Sequence, residues 1–240
     1  MCFHLSAKSN KELLEKRFNA KAKPILELVP HYYINGFNHS QLPVITAQEP
    51  DTIQTFYWGL IPPFAKDTAE AKVRMNQTLN ARSETVFTLP SFRNSIKQKR
   101  CIILADGFYE WRAAAGRKYP YFIHLTNQAP FALGGIYNDW VNKESGEIIY
   151  TFSIITTVAN PLMEKIHNSK KRMPLILSEK EEKRWIDPNL NSDEITEMMK
   201  PFDEKQMAAY TISKMITDKS INPDREEVQK YFEYPELIFY

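Results

Sequence analysis

The sequence has 240 residues, 43% of them apolar and 25% charged, with a net charge of +2. That composition is ordinary for a soluble globular protein with a sizeable core, and so small a charge leaves any DNA contact to a local Lys/Arg cluster. Two cysteines exclude a disulfide framework, no apolar stretch approaches the roughly 18 residues of a membrane span, and the start, MCFHLSAKSNK, lacks the apolar region of a signal peptide.

In chain order, Ser9 and Glu12 ahead of Leu13, Leu14 and Phe18 predict a capped amphipathic helix. Strands are predicted over Thr52–Trp58, Cys101–Ala105, Tyr119–Leu125, Phe131–Ile136 and Ile148–Thr157, all rich in Ile, Phe, Tyr and Thr. Ser178 with Glu181 opens a second helix, and Ser192–Met199 forms a third. The strands are joined by short turns without regular crossover helices, which points away from a doubly wound sheet. The expected class is α+β, a central antiparallel barrel-like sheet with peripheral helices. With 7 glycines, no Gly/Ser linker and no repeat, residues 1–240 are expected to form one domain.

There is no phosphate loop, dinucleotide fingerprint or Cys-x-x-Cys pair. Histidines 4, 31, 39, 124 and 167 lack metal-ligand spacing. No cofactor and no metal are expected. Cys101 lies in an apolar run and reads as a small buried hydrophobe. Cys2 is different, because removal of Met1 ahead of so small a residue would expose a 1,2-aminothiol. Its amine (pKa about 7.7–8.0) and thiol (about 8.5) are both partly deprotonated near neutral pH. Such a pair condenses with an aldehyde to an imine and then closes a thiazolidine ring, which an internal cysteine cannot do.

Four further segments concentrate polar groups among apolar ones: Phe56–Pro62 (FYWGLIP), Leu79–Thr85 (LNARSET), Ala105–Trp111 (ADGFYEW) and Ile166–Pro174 (IHNSKKRMP). Each residue taken singly also reads as structural: Glu110 as a salt-bridged strand residue, His167 as a helix-end contact, Trp58 as core, and the Lys170–Arg172 run as solvated surface. With the Met-Cys start, and in this order, the segments resemble the SRAP family (SOS-response-associated peptidases, abasic-site processing proteins), from Cys2 to at least Pro174.

The resemblance implies covalent capture of abasic sites in single-stranded DNA during the DNA-damage response. The two cysteines and the missing signal peptide predict a cytoplasmic protein, nucleoid-associated if bacterial, and a monomer is expected. The resemblance also implies that Cys2 forms the thiazolidine, Asn80 hydrogen-bonds at the reacting sugar and the Cys terminus, Glu110 acts as acid and base, and His167 transfers protons in ring opening and release. Arg82 and Arg172 would hold phosphates, helped by Lys171 or Lys170, and Trp58 would offer a stacking face. Two departures stand out. Phe3-His4 replaces the family's Gly-Arg after Cys2, and the Tyr33–His39 segment lacks the family's proline. Two other readings remain: amide hydrolysis by an N-terminal cysteine, against which no glycine-rich oxyanion segment is found, and a non-catalytic DNA-binding module.

Overall fold

The computed structural model describes residues 2–24, 26–218 and 220–237. Strand β1 (His4–Ala7) leads into α1 (Lys11–Phe18), followed by β2 (Lys21–Ala22), β3 (His31–Asn35), β4 (Gln41–Thr46) and β5 (Thr52–Trp58). Helix α2 (Thr68–Gln77), β6 (Asn80–Arg82) and α3 (Ser95–Gln98) precede β7 (Arg100–Ala105), β8 (Gly107–Ala114), β9 (Arg117–Leu125), β10 (Phe131–Val141) and β11 (Ile148–Val158). Next come α4 (Pro161–Ile166), β12 (Arg172–Pro174), β13 (Ile176–Leu177), α5 (Glu179–Trp185), α6 (Ser192–Met198) and β14 (Met207–Thr211).

Strands β11, β10, β7, β4 and β5 pair in that order, and β5 pairs back onto β11 to close a five-stranded barrel. The fold is the expected α+β barrel, with one refinement. Four of its pairings are antiparallel, but the closing seam is parallel, Thr151 opposite Tyr57 and Phe152 opposite Trp58. The chain leaves β5 through α2 and returns as β6, which runs parallel to β11 just beyond that seam. A crossover connection of this kind is what a parallel pair requires.

A second sheet, ordered β14-β9-β8-β1-β3, packs beside the barrel. Leu5, Phe108 and Ile123 of that sheet share one core with Val44, Ile103, Leu133 and Ile154 of the barrel. The opposite barrel face, with Ile45, Ile102 and Ile136, is covered by Leu14 and Phe18 of α1, Trp185 of α5 and Met198 of α6. Both faces of β7 are therefore buried, which is why Arg100–Ala105 lacks alternation. Each aliphatic side chain so buried contributes about 1.5–3 kcal/mol. Cys101 lies wholly in this interior, and burial pushes its thiol well above the ordinary range.

Helix boundaries show where local signals compete. Asn10, not Ser9, caps α1, its side chain accepting from Leu13 N at 2.9 Å. Ser9 is diverted to Asp106, whose carboxylate also accepts from Lys8 N and Ser9 N at 2.6 and 2.9 Å. Leu14 and Phe18 are buried and Leu13 is exposed. The Ser178–Glu181 capping box forms as expected. The third helix is capped by Asn191 and ends at Met198.

The chain from residue 222 to 230 straps the outer face of the second sheet. Asp224 accepts from Tyr32 N and Tyr33 N at 2.7 and 3.1 Å. Buried Gln229 donates to Ser6 Oγ at 2.8 Å and Tyr109 Oη at 3.0 Å, and accepts from Lys8 Nζ at 2.9 Å. It thereby ties β1 to β8 from behind. No helix among the described residues is long and apolar enough to cross a membrane.

Candidate active site

Cys2 precedes β1 and is fully buried. Its carbonyl accepts from Asn80 Nδ2 at 2.8 Å. Asn80 is placed by β6, where Asn80-Ala81-Arg82 pairs in parallel register with Ile154-Ile155-Thr156 of β11 and Ala81 is wholly buried. The Asn80 Oδ1 is buried with no hydrogen-bond partner. A buried acceptor left unmade costs about 1–3 kcal/mol, so this atom marks a place suited to a donor from outside.

Glu110 comes from β8, the strand next to β1. It is the fourth residue of a new strand, since the chain turns at Asp106 between β7 and β8. Gly107 opens that strand hard against β9. A Cβ there would lie 2.4 Å from the Phe122 ring and 2.8 Å from Ile123 O, so only glycine allows the sheet to pack so closely. Burial raises the Glu110 carboxyl to about 7, with Lys170 nearby opposing the rise. Burial first, and then the Glu110 charge, push the Cys2 thiol well above its ordinary range, so near neutral pH it stays a thiol.

His167 caps the C-terminus of α4 and is buried. Its Nε2 lies 3.9 Å from Glu110 Oε2 and its Nδ1 2.8 Å from Arg172 O. A carbonyl only accepts, so Nδ1 carries the proton and Nε2 turns its lone pair toward Glu110. Burial lowers the His167 pKa. Both members of this contact are thus driven toward neutrality, an imidazole facing a carboxylic acid rather than an ion pair. The distance is set by Asn168, which accepts from Ala113 N at 3.1 Å and donates to Ala113 O at 2.8 Å, clamping the His167 loop onto β8.

Cys2, Asn80, Glu110 and His167 are therefore brought together, while the expected DNA-facing residues divide. Arg82 is exposed, two residues beyond Asn80 on the same strand face. Trp58 offers no stacking face. It is fully buried, its Nε1 donating to Leu79 O at 2.9 Å, and it anchors the residue before Asn80. Arg172 is not presented to a phosphate. It is buried, its guanidinium forked onto Glu84 at 2.7 and 3.0 Å and donating to Thr156 O at 2.6 Å. Lys171 is exposed, with a left-handed backbone and its ammonium 3.9 Å from Glu164. Of the three basic side chains in this run, the one felt by both Glu110 and His167 is Lys170, one residue earlier; the run was visible in the sequence, but which member acts on the site was not. Two other partners were not legible. Asn168 acts from the loop, and His4 is held by Tyr33 Oη at 2.8 Å between the Tyr33 and Trp111 rings. Burial takes His4 down to about 4, so it is neutral and supplies no cation where the family pattern has arginine.

Comparison with known proteins bears on the family and the fold. The family model described as "SOS response associated peptidase (SRAP)" matches residues 1–219. The abasic site processing protein YoqW of Bacillus subtilis is 36% identical over 225 residues, 92% of this chain and 96% of that protein. The abasic site processing protein HMCES of Gallus gallus is 34% identical over 150 residues, 54% of this chain and 44% of its own length. A crystal structure of a Bacteroides thetaiotaomicron protein superposes with a TM-score of 0.90 at 36% identity, covering 97% of this chain and all of that one. A Bordetella bronchiseptica protein superposes with a TM-score of 0.77 at 26% identity, over 88% of this chain and all of that one.

Proposed function

This chain belongs to the SOS response associated peptidase family, and we propose that it captures abasic sites in single-stranded DNA as a covalent thiazolidine on Cys2. The observation that carries the reading is the buried Cys2 gripped by Asn80, its thiol coupled to Glu110 and Glu110 facing His167. The relatives named as abasic site processing proteins support the substrate.

The chemistry needs Cys2 to carry a free α-amine. Met1, whose removal provides it, lies outside the described residues. The amine attacks C1′ of the ring-opened sugar aldehyde. The carbinolamine hydroxyl takes a proton from the Glu110 carboxylic acid and leaves as water, giving the protonated imine. The thiol sulfur then bonds to the same carbon, its proton passes to the Glu110 carboxylate, and the nitrogen keeps a hydrogen as a ring amine. Amine, thiol and aldehyde thus become one thiazolidine and one water. A carboxyl group titrating near 7 can serve in both directions. Asn80 Oδ1 is suited to accept from a sugar hydroxyl, and His167 Nε2 to accept and return a proton at the sugar oxygen. Arg82 and Lys170 would meet phosphates. In single-stranded DNA no base needs unpairing before the sugar enters.

The raised thiol pKa also weighs against amide hydrolysis, where a cysteine nucleophile works as a thiolate with a depressed pKa. The test is incubation with an oligonucleotide carrying one abasic site, followed by denaturing electrophoresis. A heat-resistant adduct that persists in Cys101→Ser and vanishes in folded Cys2→Ala supports the reading. An adduct retained by Cys2→Ala, or equal loss in both variants, sinks it.

A further inference from the structure

Cys2 leads directly into Phe3, whose ring lies against Phe37 with centroids 5.2 Å apart and planes tilted by 36°. Phe3 is half-buried on the core, whereas Phe37 is 48% exposed. The turn that presents Phe37 is pinned from several directions. Gly36 N donates to Phe3 O at 2.8 Å, and Phe37 N donates to Asn35 Oδ1 at 3.1 Å. Gly36 rests on the Trp58 indole, where a Cβ would stand 3.2 Å from the ring, and His39 Nδ1 lies 2.7 Å from Trp58 O. The exposed ring therefore sits on a fixed base that reaches down to the buried tryptophan.

We propose that Phe37, backed by Phe3, stacks on the nucleobase adjoining the abasic sugar and gives capture a purine preference at that neighbour. The inference rests on the abasic-site reading above. Once C1′ is bonded to Cys2, the neighbouring nucleotides are confined to its immediate surroundings, since successive bases in a strand rise only about 3.4 Å. The lost base leaves its neighbour with one bare π-face, and the exposed Phe37 ring, packed on the residue that follows the nucleophile, is placed to cover it. Residues 34–38 carry no charged side chain, whereas the cations stand elsewhere, Arg82 beyond Asn80 and Lys170 beside the Glu110–His167 contact. The Phe3–Phe37 edge therefore suits an uncharged planar partner and the other edge the phosphates. A purine, with the larger π-face, covers more of the ring.

The test uses the full chain and single-stranded oligonucleotides in which the base on the 5′ or the 3′ side of one abasic site is a purine or a pyrimidine. Affinity is read on a tetrahydrofuran abasic analogue, and adduct formation on the true abasic site. The wild-type protein is expected to prefer a purine on one side by about threefold or more, and Phe37→Leu, which keeps apolar area but loses the ring, to bind that DNA about tenfold more weakly with no preference left. Phe37→Tyr should restore both, and thermal unfolding should match wild type because Phe37 is half-exposed. Normal adduct formation with no dependence on the neighbouring base overturns this inference alone, as does a Phe37→Leu variant that keeps the preference. A Phe37→Leu effect confined to self-association also overturns it, since the ring would then cover a second copy of the chain. No adduct in any context overturns the abasic-site reading and this inference with it.

Discussion

Replacing Glu110 by Gln is expected to make the protein more stable and less active, and the stability gain has a definite pH dependence. In the folded state the carboxyl titrates at about 7 rather than 4.5, because burial opposes its charged form. Between those values the folded state holds a proton that the unfolded chain has released. Stability therefore falls as pH rises through that window and is flat above it. The difference of 2.5 pH units (7 minus 4.5) corresponds to about 3 kcal/mol at roughly pH 8 and to about 1 kcal/mol at roughly pH 5. Gln keeps the shape and has no charge to desolvate, so Glu110→Gln should gain those amounts over wild type. With a denaturant slope of about 2–3 kcal/mol per molar, the urea midpoint at alkaline pH should rise by about 1 M. The same variant should form adduct about 10²–10⁴ times more slowly, since it cannot exchange a proton. A Glu110→Gln protein no more stable than wild type at roughly pH 8, or one whose advantage does not shrink at roughly pH 5, would refute the assignment of a buried, proton-holding carboxyl.

His167→Ala should slow transfer of a preformed adduct to competitor DNA by about 10-fold or more, with formation less affected; release at the wild-type rate would remove His167 from that step. Arg172→Ala should destabilise the fold by about 2 kcal/mol, discounted for the half-exposed Glu84 partner, and leave the salt dependence of DNA binding unchanged. Arg82→Ala should do the reverse, lowering the slope of log affinity against log salt by about 0.7 for single strands without changing stability; a shift of that size in Arg172→Ala instead would exchange the two roles. Gln229→Ala should remove the tie between β1 and β8 and shift the alkaline limb of the adduct-formation pH profile, which reports Glu110; an unchanged limb would mean that the strap does not set the Glu110 environment.

The sequence by itself determined four of the five barrel strands, β5, β7, β10 and β11, because runs such as Thr52–Trp58 and Phe131–Ile136 are long, β-branched or aromatic, and bounded by turns, whereas β4 (Gln41–Thr46), with a proline inside it, was not legible. It also singled out Cys2, Asn80, Glu110 and His167, because an aminothiol and an ordered set of motifs are properties of the chain before it folds. Short strands such as His4–Ala7 and Met207–Thr211 were not legible, since their stability comes from partners far away in sequence. Nor could the sequence say which of several similar side chains would face the site. In the sequence Arg172 and Lys171 are as basic as Arg82 and Lys170, and nothing in it marks Trp58 as buried. Burial under the second sheet took the tryptophan, Glu84 took one arginine, and a left-handed turn carried one lysine toward Glu164. Those outcomes depend on packing between distant segments, which sets desolvation and pairing, and only the tertiary structure decided them.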